Sequence, residues 1–242
     1  MKTLVFDIWA DIGHFRKYYT TSSPLTFSFP PPPTIAGMLG AIIGSSKNQY
    51  LHDFSLEQMY LGVALLKPVK KFRWGINYIN TKDNFWQPVY KKNHEARTQI
   101  RVEFLSNPAF RIYVHHKNPD IFQRLIDSIK RHYTYFTLSM GLSELIADFR
   151  WVGLYESRFQ NIEKEDTINS VIPERYLTGQ NLALESDRRY GKEQVPVQMT
   201  PDRVVEKYEN VFFETDGKTL KLKPGVPEKI ICLENGEKYC YF

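Results

Sequence analysis

Apolar and polar positions alternate along Thr3–Trp9, with Leu4, Phe6 and Ile8 on one side and Val5, Asp7 and Trp9 on the other. A period of two predicts a strand, and its Asp7 side reads as the more polar, non-core face. Residues 13–29 read as a long loop. Pro30–Pro33 follows as a stiff extended rod that cannot sit inside a helix. Thr34 then stands where an N-cap would, opening a helix through Ile43. Gly37, Gly40 and Gly44 would let that helix approach a sheet, or a ligand, closely.

Leu61–Leu66 is continuously apolar and reads as a buried strand. Arg101–Leu105 and Phe110–His116 supply two more. Asn118-Pro119-Asp120 opens a second helix, whose Ile121, Phe122, Leu125, Ile126 and Ile129 share one face. Ile146–Tyr155 adds a last strand. The order strand, helix, strand, strand, helix, strand is that of a ferredoxin-like (RRM-like) α+β unit over residues 1–156. Residues 157–242 start with a charged stretch and then break into short strand-like pieces, so a small β-rich C-terminal part is expected. Asp216-Gly217 and Asn235-Gly236 are both strong hairpin-turn pairs. A two-residue turn at Asn235-Gly236 would set Cys232 opposite Tyr239 and Cys240 on the other face, leaving the two cysteines as packing residues.

Composition narrows the class. The chain has 242 residues, 42% apolar and 24% charged, with a net charge of +5, as an ordinary globular protein has. Two cysteines exclude a disulfide scaffold. The start of the chain has no secretory h-region and no run has the length of a membrane helix, so a cytoplasmic setting is expected. The charge is unevenly spread: residues 67–101 hold nine Lys/Arg and two acids, a local +7, leaving −2 for the remainder. Phe72, Trp74, Tyr78, Phe85, Trp86 and Tyr90 lie among those charges. Cations for phosphates beside flat rings for unpaired bases suit single-stranded nucleic acid. A solvated strand pair with some rings in the core is the plainer alternative.

Motifs for other chemistry are missing. The chain has no Gly-x-x-x-x-Gly-Lys, His-Glu-x-x-His, Cys-x-x-Cys or Gly-x-Ser-x-Gly, and the RRM aromatic signature is also lacking. No metal or cofactor site is therefore expected. His115-His116-Lys117 is the one histidine cluster, at a strand end. Neighbouring strand residues face opposite ways, so the pair suits joint metal ligation poorly. One of them could serve as a general base for RNA cleavage, with Lys117 on phosphate. A structural or phosphate-contact role weighs more.

Several stretches together resemble one family. They are His14-Phe15-Arg16-Lys17-Tyr18-Tyr19-Thr20-Thr21-Ser22-Ser23, the proline run, Thr34–Gly44, Arg97-Thr98-Gln99-Ile100 through Glu103-Phe104-Leu105, Asn107-Pro108 and Met140–Ala147. In order and spacing they are similar to the CRISPR-associated Cas-five family, and most to its type I-B branch, over roughly residues 1–155. The resemblance implies a RAMP protein that caps the 5′ handle of a CRISPR RNA in a Cascade complex, in RNA-guided antiviral defence. Its partners would be a Cas-seven type backbone subunit, a Cas-eight type large subunit and, through the complex, target DNA. Residues 75–100 would form the family's thumb, with Trp86, Lys91, Lys92 and Arg97 on RNA. His14, Arg16, Lys17 and Tyr18 would line the handle path, joined by Gly141 and Ser143. Thr34 and Gly37, at the start of the first helix, would hold a phosphate on free backbone N–H groups. The type I-C branch cleaves precursor RNA with Tyr, Lys and His. That makes a metal-independent endoribonuclease the alternative to the non-catalytic binder expected here.

Overall fold

The computed structural model describes residues 1–20, 23–82, 86–88, 90 and 95–242. Strands dominate, with few helices. In chain order they are β1 (Lys2–Trp9), β2 (Ile12–Gly13), α1 (Pro32–Ile43), α2 (Tyr50–Asp53), β3 (Met59–Leu65), β4 (Lys71–Ile79), β5 (Arg97–Ser106), β6 (Ala109–His116), α3 (Pro119–Lys130) and β7 (Asp148–Gln160). Then come β8 (Asp166–Ile168), β9 (Ile172–Pro173), β10 (Leu182–Ala183), β11 (Tyr190–Met199), β12 (Val205–Glu214), β13 (Leu220–Leu222), β14 (Ile230–Leu233) and β15 (Lys238–Tyr239). Among the described residues no helix is long and apolar enough to cross a membrane.

The main sheet runs β15-β14-β7-β1-β6-β3, with each neighbouring pair antiparallel. Leu4, Phe6 and Ile8 of β1 pack in one core with Ile35, Leu39 and Ile42 of α1 and Leu125, Ile126 and Ile129 of α3. Both helices therefore cover the same face. Asn118 caps α3 as expected, its side chain accepting from the N–H groups of Asp120 and Ile121.

The opposite face is also core, against the expectation for Asp7. Thr3, Val5 and Asp7 are buried. β7 explains the cover: Asp148–Glu156 run along β1 with a bulge at Val152, and Ser157–Gln160 pair with β14. The β14–β15 ribbon then folds behind the sheet, where Tyr239 stacks on Tyr113 at 4.8 Å and fills the space left by Gly62. Asp7 is paired there: Arg111 donates to both its oxygens, at 2.8 and 3.2 Å, and Arg150 donates a further bond at 2.9 Å. Residues 157–242 share the front core as well, through Val171, Val195, Val197, Val211 and Phe213.

Both turn pairs form, with different outcomes. At Asn235-Gly236 the loop is three residues, 234–236: the Gly236 N–H donates to Leu233 O, and Gly236 takes φ 88°. This is the type I turn with a glycine bulge, and it sets Cys232 opposite Lys238 and Ile231 opposite Tyr239. The expected pairing was one residue off. Asp216-Gly217 turns the chain between β12 and β13, which lie in different sheets, so it closes no hairpin.

Candidate nucleic-acid interface

α1 starts three residues earlier than expected. Pro32 and Pro33 occupy its first positions, where proline's fixed φ and missing N–H are tolerated, and Pro31 is the cap residue, without a side-chain cap. Thr34 is therefore not the N-cap but sits inside the first turn. Its N–H and that of Ile35 both donate to Pro31 O, at 2.9 and 3.1 Å. Two prolines and two paired amides leave no free N–H groups there. The expected backbone phosphate site at this helix start is corrected accordingly.

Thr34 and Gly37 nonetheless face a cleft of about 340 Å³. Its other walls include Tyr50, Thr137, Ser139 and Gly141, and Arg203 from the β11–β12 loop. The α1 glycines pack on side chains of other elements and not on a sheet. Tyr50 sits 2.8 Å from where a Gly40 Cβ would be, and Gly44 caps the helix at φ 77° beneath the Tyr135 ring. Gly141 has φ 104°, and a Cβ there would lie 1.8 Å from His14 O. Only glycine fits. Its neighbour Met140 accepts the His14 N–H at 2.9 Å, which fastens the cleft rim to the 14–28 loop.

That loop splits the four residues expected to share one surface. His14 is 3% exposed, packs on Phe104 and donates through Nδ1 to Glu103 O at 2.7 Å. Burial pushes its pKa down, so it is a neutral structural residue and does not line a surface path. Lys17 is half-buried, and its ammonium is paired with Glu193 at 3.1 Å. Burial alone would raise the Glu193 carboxyl, but Lys71, the Ser28 N–H and Lys17 outweigh it and hold the pKa below the ordinary value. The same carboxylate accepts from Ser28 N–H and Oγ, at 2.9 and 3.0 Å, and from Lys71 at 3.4 Å. One side chain of β11 thus fastens the loop and the root of β4. Arg16 and Tyr18 remain exposed, and Tyr18 packs against Tyr208 of β12 at 4.8 Å. Ser143 is exposed and donates to Glu144.

β4 and β5 form a long two-stranded ribbon, wider than the 75–100 expected for a thumb. It pairs from Lys71↔Leu105 to Ile79↔Arg97. Alternation sorts its faces. One carries Phe72, Trp74, Ile76 and Tyr78 opposite Phe104, Val102, Ile100 and Thr98; the other carries Lys71, Arg73, Arg97 and Arg101 with Glu103. Beyond the buried Val102 most ribbon residues are exposed or half-buried, with Trp74 itself at 60%. Trp86 and Tyr90 are 76% and 80% exposed, so neither packs on the sheet. Phe85, Lys91 and Lys92 lie outside the described residues.

The histidine pair faces opposite sides, as alternation requires. His116 is buried beside Phe54, accepts the Asn118 N–H on Nδ1 and donates through Nε2 to Asp53 O at 2.7 Å. His115 stacks on Tyr60 and donates to Lys2 O at 2.6 Å; burial lowers its pKa. Lys117 lies over the Tyr60 ring and donates to Glu57 O.

Residues 3–214 match the family described as CRISPR-associated protein (Cas_Cas5). The chain belongs to that family. No curated protein matches. Solved structures of CRISPR proteins share this fold. One is a CRISPR protein from Archaeoglobus fulgidus, 15% identical, with a TM-score of 0.56 and 98% of this chain and 97% of that one covered. Another is a chain of a CRISPR RNA-guided surveillance complex, 12% identical, with a TM-score of 0.53 and coverages of 89% and 91%. A third comes from a Type III-B Cmr-beta complex bound to cognate target RNA and AMPPnP, 13% identical, with a TM-score of 0.53 and coverages of 91% and 86%. Within this Cas-five chain, Arg203, Glu193 and the ring-bearing loop before Thr137 escape sequence reasoning. Arg203 has only the turn signal of Pro201-Asp202 before it, and the partners of Glu193 are far away in sequence.

Proposed function

We propose that this chain is a non-catalytic RNA-capping subunit of a Cascade-type CRISPR surveillance complex, of the type I-B kind. It holds the 5′ handle of the CRISPR RNA and meets a Cas-seven type backbone subunit and a Cas-eight type large subunit, with target DNA reached through the complex. The ribbon carries this reading. Its cationic face, with Arg73, Arg97 and Arg101, suits phosphates, and its exposed Trp74 and Tyr78 suit bases or a neighbouring subunit. The cleft with Thr34, Gly37, Gly141 and Arg203, and the exposed Arg16 and Tyr18, extend the same chemistry. The strand order β7-β1-β6-β3 with both helices on one face supports a ferredoxin-like RAMP architecture. The shared fold with chains of RNA-guided and RNA-bound complexes agrees with it.

The proximity of Tyr60, His115 and Lys117 is what favours the second reading, a metal-independent endoribonuclease. The non-catalytic reading is preferred because His115 and Lys117 each donate to a backbone carbonyl and so hold the sheet end together. Incubation with the host's repeat RNA in EDTA separates the two. Tight binding without cleavage is expected, and Arg16→Ala should lower the log–log salt slope by about 0.7 for each lost phosphate contact on a single strand. Cleavage would promote the nuclease. Absence of binding would remove RNA capping altogether.

A further inference from the structure

Three exposed rings on the segment that leads into the cleft wall have no role in the reading above. The segment Arg131–Phe136 leaves the end of α3 and crosses the C-terminal end of α1. There the N–H groups of Tyr135 and Phe136 donate to Ile42 O and Ala41 O, at 3.1 and 2.9 Å. These are two of the carbonyls a helix leaves unpaired at its end, so the loop is pinned by backbone bonds. The next residues, Thr137–Ser139, are the cleft wall, and Ala41 lines the same cleft. Tyr133, Tyr135 and Phe136 nevertheless stay exposed, at 55%, 62% and 51%. The Tyr135 and Phe136 rings meet edge to face at 4.8 Å. Arg131 beside them is exposed and has no ion pair among the described residues.

Adjacent exposed rings on a pinned backbone mark a binding surface. The cleft they border offers a cation and hydroxyls, which suit phosphate and sugar. The rings beside it offer flat faces, which suit the bases of the same strand. We infer that Tyr133, Tyr135 and Phe136 form a stacking shelf for unpaired bases of single-stranded RNA, next to the Thr34–Gly141 cleft. This inference rests on the RNA-binding reading above.

The test compares two probes of equal phosphate number, a short oligoadenylate and the abasic strand of the same length, on the full chain. Wild type should prefer the base-bearing strand. Phe136→Ala and Tyr133→Ala should each reduce that preference about ten-fold while leaving abasic affinity unchanged. Phe136→Trp should retain it. Tyr135→Leu keeps bulk over Gly44 and should act like the alanine variants, with thermal unfolding confirming that each variant folds. A base-to-abasic ratio unchanged by ring loss overturns the shelf and leaves the patch as a protein contact. In that case Arg203→Ala should still weaken both strands if RNA binding itself holds. Wild type that binds neither strand overturns the RNA reading and the shelf together.

Discussion

Replacing Glu193 by Gln isolates one charge at a buried junction. Gln keeps the shape and one acceptor for Ser28, but Lys17 and Lys71 lose their counterion. At 3.1 Å, opposite unit charges attract by about 5 kcal/mol at an effective dielectric constant of 20. Desolvation offsets part of this, and breaking a buried pair from one side costs about 3–5 kcal/mol. Because Gln still accepts a bond and Lys71 can turn outward, a loss of about 3 kcal/mol is expected. For a chain of this length that lowers the Tm by about 6–12 °C. The pH dependence follows from the directions of the shifts. Glu193 lies below its ordinary 4.5, so its contribution is complete above that pH and is lost as pH falls through the lowered value. Lys17, raised above 10.5, keeps its contribution below that pH and loses it as pH rises through the raised value. Urea unfolding of wild type and E193Q at neutral and acid pH should therefore show a wide gap that closes on acidification. A neutral-pH gap under about 0.5 kcal/mol, or one that persists in acid, would refute the argument.

Gly141→Ala should cost about 2–4 kcal/mol, because a left-handed φ and a collision with His14 O add together. Gly179→Ala, with φ 84° and nothing within 4 Å, should cost only about 1 kcal/mol; equal losses in thermal unfolding would contradict the collision. His116→Ala should destabilise by about 2–4 kcal/mol through two lost buried hydrogen bonds, while His115→Ala with Lys117→Ala leaves the host's CRISPR RNA termini unchanged. Sequencing of RNA bound to the complex checks the latter, and shifted termini would sink the non-catalytic reading.

What the sequence made legible was mostly local. The alternation in β1, the amphipathic face and Asn118 cap of α3, and the apolar run of β3 each depend on near neighbours. The misreadings have distant causes. Asp7 looked solvated because its cover comes from residues 230–239. His14 and Lys17 looked free because their partners lie 89 and 176 residues away. Thr34 took the place of a cap because the proline run reads as a rod, although its last two residues begin the helix. Of the candidate site, composition alone made the exposed ribbon visible. The cleft required the fold, since α1, the 137–141 loop and the tip of a later hairpin meet only in three dimensions.

The partner switch within β7 also sets an order of events during synthesis. Residues before 157 can pair with β1 as soon as they emerge, and they bring α1 and α3 onto one face of the sheet from one continuous stretch of chain. The back of the sheet then stays bare until residues 230–242 have been made, when Tyr239 slides beneath Gly62 and the Phe242 N–H reaches Leu61 O. During that interval Val5, Ala64 and Tyr113 present apolar surface to solvent or to a chaperone. The nascent protein is thus most prone to aggregate in a window defined by translation through its second half. Slowing the ribosome there should lower soluble yield without altering the finished fold.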